Sequence, residues 1–332
     1  TWPEAFGGRG CDLLEWLIFE EEYYRAGAPL RVNQNGIFLL GPTLMEYGTE
    51  AQKARFIPAM AKGDEIWAQG WSEPNAGSDM AAIRCRAERD GDDFIISGQK
   101  IWSTRAVYAD WVFGLFRTDP TSERHHGLSK ILVPLNADGI TVRPIPQLNG
   151  LPGFAEIFFD EVRVPAFNLL GGEGEGWRIA MATAGFERGL MLRSPARFQQ
   201  AAKRLVELYR SRSNEVLDPS IEDAVLRCYM DAEAYALSTY QTASLLCGGG
   251  SIGPEASCNK IFWSELDLLI HETAMKLLGA RGEIEPQTAQ EFGDLGTWLD
   301  GFMFAQSGPI YAGTNEIQRN IIAERMLGMP RK

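Results

Sequence analysis

The chain has 332 residues, with 45% hydrophobic, 23% charged and 11% aromatic side chains, which supplies a sizeable core and enough length for two or three domains. Its 44 acidic against 32 basic residues leave a formal charge of -12, which excludes a nucleic-acid backbone or an anionic membrane surface as the main partner. No run approaches the roughly 18 consecutive apolar residues of a membrane span, so no membrane insertion is expected. The five cysteines (Cys11, Cys85, Cys228, Cys247 and Cys258) are odd in number and never spaced as CxxC, as reduced thiols would be. With only three histidines, two of them adjacent in the polar run Glu123–Gly127, no metal site is expected. The opening Thr1-Trp2-Pro3 has no signal-type apolar segment, and with the thiols this makes a cytoplasmic location the expectation.

Taken in chain order, three textures follow one another. Residues 1–63 read as helical: Leu13–Glu20 carries apolar residues at helical spacing, and Gly48-Thr49-Glu50 introduces a second amphipathic run to Met60. Residues 64–171 hold short β-rich segments bounded by Gly, Asp or Pro, at 93–96, 111–116, 130–134, 140–144 and 157–164. Such regular short strands predict a small β-barrel or sandwich. Residues 172–332 return to a helical period, with segments near 175–213, 219–247, 254–278, 288–306 and 314–327 expected to form an antiparallel bundle. The fold class is therefore α+β, in the order α, β, α.

Two glycine runs lack the context of phosphate loops. Gly248-Gly249-Gly250-Ser251 follows no strand and has no Gly-Lys-Ser/Thr, so it reads as a helix break with Pro254 at the next first turn. Gly171–Gly176 likewise lacks the strand-to-helix setting of a dinucleotide fingerprint and reads as a hinge between β and α parts. The segment Ser72-Glu73-Pro74-Asn75-Ala76-Gly77-Ser78-Asp79 is more informative. It crowds turn formers and hydroxyls into eight residues where α gives way to β, and its backbone could hold a ring edge and a pyrophosphate. Gly98-Gln99-Lys100-Ile101-Trp102-Ser103-Thr104 is a second polar-aromatic turn whose indole could cover a flat cofactor.

These two segments, with Ile310-Tyr311-Ala312-Gly313-Thr314-Asn315-Glu316-Ile317-Gln318-Arg319 near the end, resemble the flavin-binding and C-terminal active-site motifs of the acyl-CoA dehydrogenases. The likeness covers nearly the whole chain. It implies FAD bound between the β domain and the bundle, with Gln69, Trp71, Ser72 and Ser78 lining the ring and phosphates, Trp102 and Thr104 against the isoalloxazine, and Thr314 and Glu316 at the start of the last helix. It also implies an acyl-CoA thioester substrate near Ser78, Arg188, Ala312 and Gly313, and a trans-2-enoyl-CoA product. Electrons would pass to an electron-transferring flavoprotein, and the assembly would be a homodimer or homotetramer.

The chain departs from the family pattern where many members carry a catalytic glutamate after the motif tyrosine, because here that residue is Ala312. A minority of members resemble this chain in placing a glutamate before an arginine on the first bundle helix, here Phe186-Glu187-Arg188. The spacing of Ala180, Ala184, Glu187 and Met191 puts Glu187 on an otherwise small, apolar helical face. Partial desolvation there raises a carboxylate toward the pKa a base needs. Glu187 is therefore the expected base. Trp71, Arg105 and Met191 are candidates for shaping the acyl pocket.

Two further family segments are altered. The arginine segment that grips the partner's FAD reads Tyr209-Arg210-Ser211-Arg212-Ser213-Asn214, and the Gln-x-x-Gly-Gly stretch reads Lys276-Leu277-Leu278-Gly279-Ala280. With Ala312, the altered arginine segment keeps open a non-catalytic or cofactor-sharing subunit of a heteromer; the nearest enzyme alternative is an oxidase of the same fold that passes electrons to oxygen.

Overall fold

The computed structural model describes residues 1–29, 31–188, 194–212, 218–284 and 297–330, with 186–188 described in backbone only. Helix α1 (Leu13–Arg25) opens on a capping box in which Asp12 accepts from Glu15 N–H and Glu15 answers to Asp12 N–H. A π-helical turn (Asn35–Leu40) runs into α2 (Gly41–Tyr47), and α3 (Glu50–Lys62) begins on a second capping box, Thr49 with Gln52. The strands are β1 (Trp67–Gly70), β2 (Arg86–Asp90), β3 (Asp93–Thr104), β4 (Trp111–Arg117), β5 (Leu128–Pro134), β6 (Ile140–Pro146), β7 (Pro152–Pro165) and β8 (Leu169–Leu170). Then follow α4 (Gly176–Arg188), α5 (Pro195–Ser211), α6 (Pro219–Cys247), α7 (Ala256–Leu278), α8 (Trp298–Ala305) and α9 (Asn315–Ile321). The order α, β, α is as the sequence predicts.

Chain contacts divide the protein into two compact units. One comprises Trp2–Gly7 and Arg31–Glu187, the other Thr1, Gly8–Leu30 and Arg188–Lys332. In the first, all eight strands join one sheet ordered β6-β7-β3-β2-β4-β5-β8, with β1 parallel to β4. Its core is lined by Phe94, Ile96, Val112, Phe116, Ile131, Ile157 and Val164. Such fully buried side chains each contribute about 1.5–3 kcal/mol. Phe56 of α3 meets Trp67 and Trp111 edge-on, which fastens the helix to the sheet. Gly41 exists because Trp2 crosses there: a Cβ would stand 2.3 Å from the indole, whose Nε1 donates to Ile37 O at 3.1 Å.

In the second unit, α5, α6 and α7 bury Phe198, Leu205, Cys228, Tyr235, Trp263 and Ile270 against one another. Tyr240 of α6 donates to Glu21 of α1 at 2.6 Å, which joins the N-terminal helix to the bundle. A buried ion pair crosses from α5 to α7, Arg197 Nη1 to Asp267 Oδ2 at 3.0 Å, with His271 beside it. The segment expected to be continuous at 175–213 contains two helices, α4 and α5, with Pro195 in the first turn of the second. Helix α7 starts at Ala256, and Pro254 lies in the turn before it, accepting from Ser257 N–H. Among the described residues all cysteines are free, no helix is long and apolar enough to cross a membrane, and no cluster of metal-ligating side chains occurs.

Candidate active site

The two polar turns singled out in the sequence lie side by side. The β3–β7 ladder shifts register between Lys100 and Ser103, and this bulge releases the Ile101 N–H, which donates to Ser72 O at 2.9 Å. Trp102 takes φ 59° at the bulge, and its indole stands 57% exposed, edge-on to Phe154. Thr104, two residues on, is half-buried. Gln69 is half-buried on β1, Trp71 is buried, Ser72 is half-buried and Ser78 is exposed. Nothing obstructs the backbone at Gly77.

What holds the Ser72–Asp79 turn is a pair that sequence reasoning did not single out. Glu73 and Ala76 exchange backbone hydrogen bonds, and the Glu73 carboxylate accepts from Arg84 N–H at 2.7 Å and Cys85 N–H at 2.9 Å. The fully buried Lys100 ammonium donates to Glu73 Oε1 at 2.8 Å, Leu115 O at 2.6 Å and Trp71 O at 3.3 Å. Every proton of that ammonium has an acceptor, as a buried charge requires. Burial pushes the neighbouring Cys85 thiol up to about 11, so it is inert.

An exposed flat indole on a turn that is hydrogen-bonded to the hydroxyl-bearing Ser72–Asp79 turn suits an aromatic cofactor with a phosphate tail. The orphaned Ser103 Oγ adds an unused polar atom beside Trp102. This set fits FAD.

Helix α4 begins where Gly176 packs against β5; a Cβ would lie 2.6 Å from the backbone there. Ala180, Thr183 and Ala184 are buried while Met181 and Gly185 are exposed. The side chains of Glu187 and Arg188, like Met191, lie outside the described residues. Lys130 of β5 is fully buried and donates to Thr183 Oγ1 at 2.6 Å, and Thr183 meets Thr43 of α2 at 2.9 Å. Burial pushes Lys130 down to about 7. Arg105, another candidate pocket residue, donates to Arg31 O and Val32 O.

Ala312, Gly313, Thr314 and Glu316 belong to the helical unit. Ala312 and Gly313 are both left-handed, at φ 57° and 79°, and Gln318 Nε2 donates to their carbonyls at 3.1 and 3.2 Å. Thr314 caps α9 by accepting from Ile317 N–H at 3.2 Å. Glu316 is exposed, and its own backbone N–H and the Thr314 hydroxyl hold its carboxyl below the usual carboxylate range. Asn315 Oδ1 accepts from Lys260 at 2.8 Å and Ser264 at 3.1 Å, which anchors the loop to α7.

The chain matches models of the acyl-CoA dehydrogenase N-terminal domain over residues 1–64, middle domain over 68–162 and C-terminal domain over 174–327. It is 42% identical to acyl-CoA dehydrogenase IpdE1 of Mycobacterium tuberculosis, across all of this chain and 84% of that protein. To the mitochondrial short-chain specific acyl-CoA dehydrogenase of Bos taurus it is 30% identical, across 98% of this chain and 78% of that one. Among solved structures it is similar to the Tcur3481-Tcur3483 steroid ACAD (TM-score 0.89, 30% identity, 100% and 85% coverage). It is also similar to the ChsE4-ChsE5 complex of Mycobacterium tuberculosis (TM-score 0.85, 32% identity, 100% and 86% coverage).

Proposed function

The chain belongs to the acyl-CoA dehydrogenase family of oxidoreductases, and from that membership we propose that it converts an acyl-CoA thioester to a trans-2-enoyl-CoA with the aid of bound FAD. The observation that carries this reading is the Ile101–Ser72 hydrogen bond, which sets the exposed Trp102 beside the Ser72–Ser78 turn. Gln69, Trp71, Ser72, Ser78, Trp102 and Thr104 would hold the cofactor, and Thr314 and Glu316 are the further cofactor contacts that the family likeness implies. FAD, when bound, supplies the acceptor for the hydride that leaves the β-carbon.

Glu187 is the base in this reading. Its carboxylate takes the proton from the α-carbon as the β-hydrogen departs, leaving the double bond between the two carbons. Ala312 cannot take a proton, which leaves position 187 as the carboxylate in the family's alternative place. The Ala312–Gly313 backbone would serve the thioester carbonyl as an N–H donor. Arg188 would lie near the substrate. The expected electron acceptor is an electron-transferring flavoprotein, and the free thiols suit a reducing, cytoplasmic setting.

The altered Tyr209–Asn214 segment and the two-component structures to which the chain is similar favour a second reading of the assembly, in which this chain pairs with a non-identical subunit rather than a copy of itself. Replacing Glu187 by Gln tests the catalytic assignment. Turnover should vanish while the protein keeps its FAD and its unfolding midpoint; substantial residual turnover would place the base elsewhere.

A further inference from the structure

The first unit buries two lysines in its sheet, and they are treated oppositely. Lys100 has a carboxylate and two carbonyls around it. Lys130, equally buried, has one hydrogen-bond acceptor among the described residues, the neutral Thr183 Oγ1. That hydroxyl donates its own proton to Ile179 O and lies 2.9 Å from Thr43 Oγ1, whose hydroxyl donates to Leu39 O, so the pair is neutral and brings no counter-charge to the ammonium. Two aromatic faces flank the ammonium, Phe113 at 5.0 Å and Trp71 at 5.7 Å from ring centre to Nζ. They offset part of the desolvation but accept no ordinary hydrogen bond. Two ammonium protons therefore lack acceptors, and the buried Trp71 Nε1–H lacks one as well.

Among the described side chains this is a surplus of donors with no balancing acceptor, around an ammonium with no counter-charge, an arrangement that costs several kcal/mol. The missing component is an anionic oxygen. Trp71 belongs to the segment that opens the proposed cofactor site, and Thr183 lies one helical turn before position 187 on α4. A group arriving beside Lys130 therefore enters near the candidate base helix and not at a remote surface.

We propose that Lys130 is a specificity-determining residue whose ammonium, with the Trp71 indole N–H, receives a carboxylate carried on the acyl group, so that the chain prefers carboxylated acyl-CoA thioesters over plain alkanoyl-CoA of equal length. This rests on the acyl-CoA reading above. Burial alone holds Lys130 near neutrality, so an arriving carboxylate draws a proton onto it.

The test is calorimetric titration of the holoprotein with matched pairs of thioesters of increasing chain length, one member ending in methyl and the other in carboxylate. At least one carboxylated member should bind about tenfold more tightly than its alkyl partner. Titration at pH 8 in two buffers of different ionisation enthalpy should show proton uptake with that member alone. Lys130→Met should abolish both the preference and the uptake while leaving alkyl-thioester binding unchanged, and Lys130→Gln provides the same comparison with a polar side chain. No preference at any length, or a preference that survives both substitutions, overturns the proposal. Because the readout is binding, it stands apart from turnover: a protein that binds thioesters but never dehydrogenates them contradicts the dehydrogenase reading and still decides this one.

Discussion

Glu73→Gln removes the counter-charge of a lysine that has no route to solvent. Lys100 is 0% exposed and Glu73 9% exposed, and the lost carboxylate accepts three hydrogen bonds, from Lys100 Nζ, Arg84 N–H and Cys85 N–H. A glutamine keeps one acceptor oxygen and turns its amide donors toward the ammonium or the two backbone N–H groups, so at least one donor is stranded. Breaking a buried pair in this way costs about 3–5 kcal/mol, a large share of the ~5–15 kcal/mol by which domains are stable. At ~2–4 °C per kcal/mol, the unfolding midpoint should fall by roughly 10 °C. The same change loosens the Ser72–Asp79 turn, so FAD affinity should fall with it. Thermal unfolding and fluorescence titration with FAD measure the two effects. The double variant Glu73→Gln, Lys100→Met should be no worse than Glu73→Gln alone, with a coupling energy of about 2 kcal/mol in the cycle. A Glu73→Gln protein within ~0.5 kcal/mol of wild type, binding FAD normally, would refute the claim that this pair holds the turn.

Three further predictions concern buried charge and thiols. Asp267 is pushed up by burial but more strongly held below the carboxylate range by Arg197 and His271, so its stabilisation is present above pH ~3.8 and lost as pH falls through its lowered value; Asp267→Asn should cost about 3–5 kcal/mol at neutral pH and flatten the acid limb of stability. For Lys130 the sign is opposite: with a folded value near 7 against 10.5 unfolded, the unfolded chain binds more protons, and stability gains up to about 5 kcal/mol between pH 7 and 10.5. Lys130→Met should remove that rise, read as the difference in urea midpoints between variant and wild type across the window; an equal rise in both would contradict it. Iodoacetamide at pH 8 should label the exposed Cys247 and Cys258 in the native protein and spare the buried Cys85 and Cys228, whose thiols are both pushed up to about 11 by burial. Mass spectrometry after digestion reads the pattern.

The α, β, α order was legible because hydrophobic period changes twice along the chain, and the polar turns at 72–79 and 98–104 were legible because turn formers cluster there. Residues 1–63 read as helical, but the run at 35–47 was not resolved into elements: Gly36 packs on Asn33, Gly41 lies under Trp2, and Pro42 sits in the first turn of α2. Strand β2, Arg86–Asp90, hides behind four charged residues because only Ala87 faces the core. The two buried lysines left a trace that went unread. Lys100 falls in phase with Phe94 and Ile96 on β3, and Lys130 interrupts the apolar run of β5, but a lysine's burial is settled by partners distant in sequence. Glu73 lies 27 positions from Lys100 and Thr183 lies 53 from Lys130.

The central claim is that this chain binds FAD and passes acyl-CoA hydrogens to it by way of Glu187. The visible spectrum during anaerobic titration with a panel of alkyl and carboxylated acyl-CoA thioesters tests it most directly. Bleaching of the oxidised-flavin band by at least one thioester in wild type, and its persistence in Glu187→Gln with the flavin still bound, is the result the account predicts. A band that no thioester bleaches, or one that Glu187→Gln bleaches as fast as wild type, would contradict it.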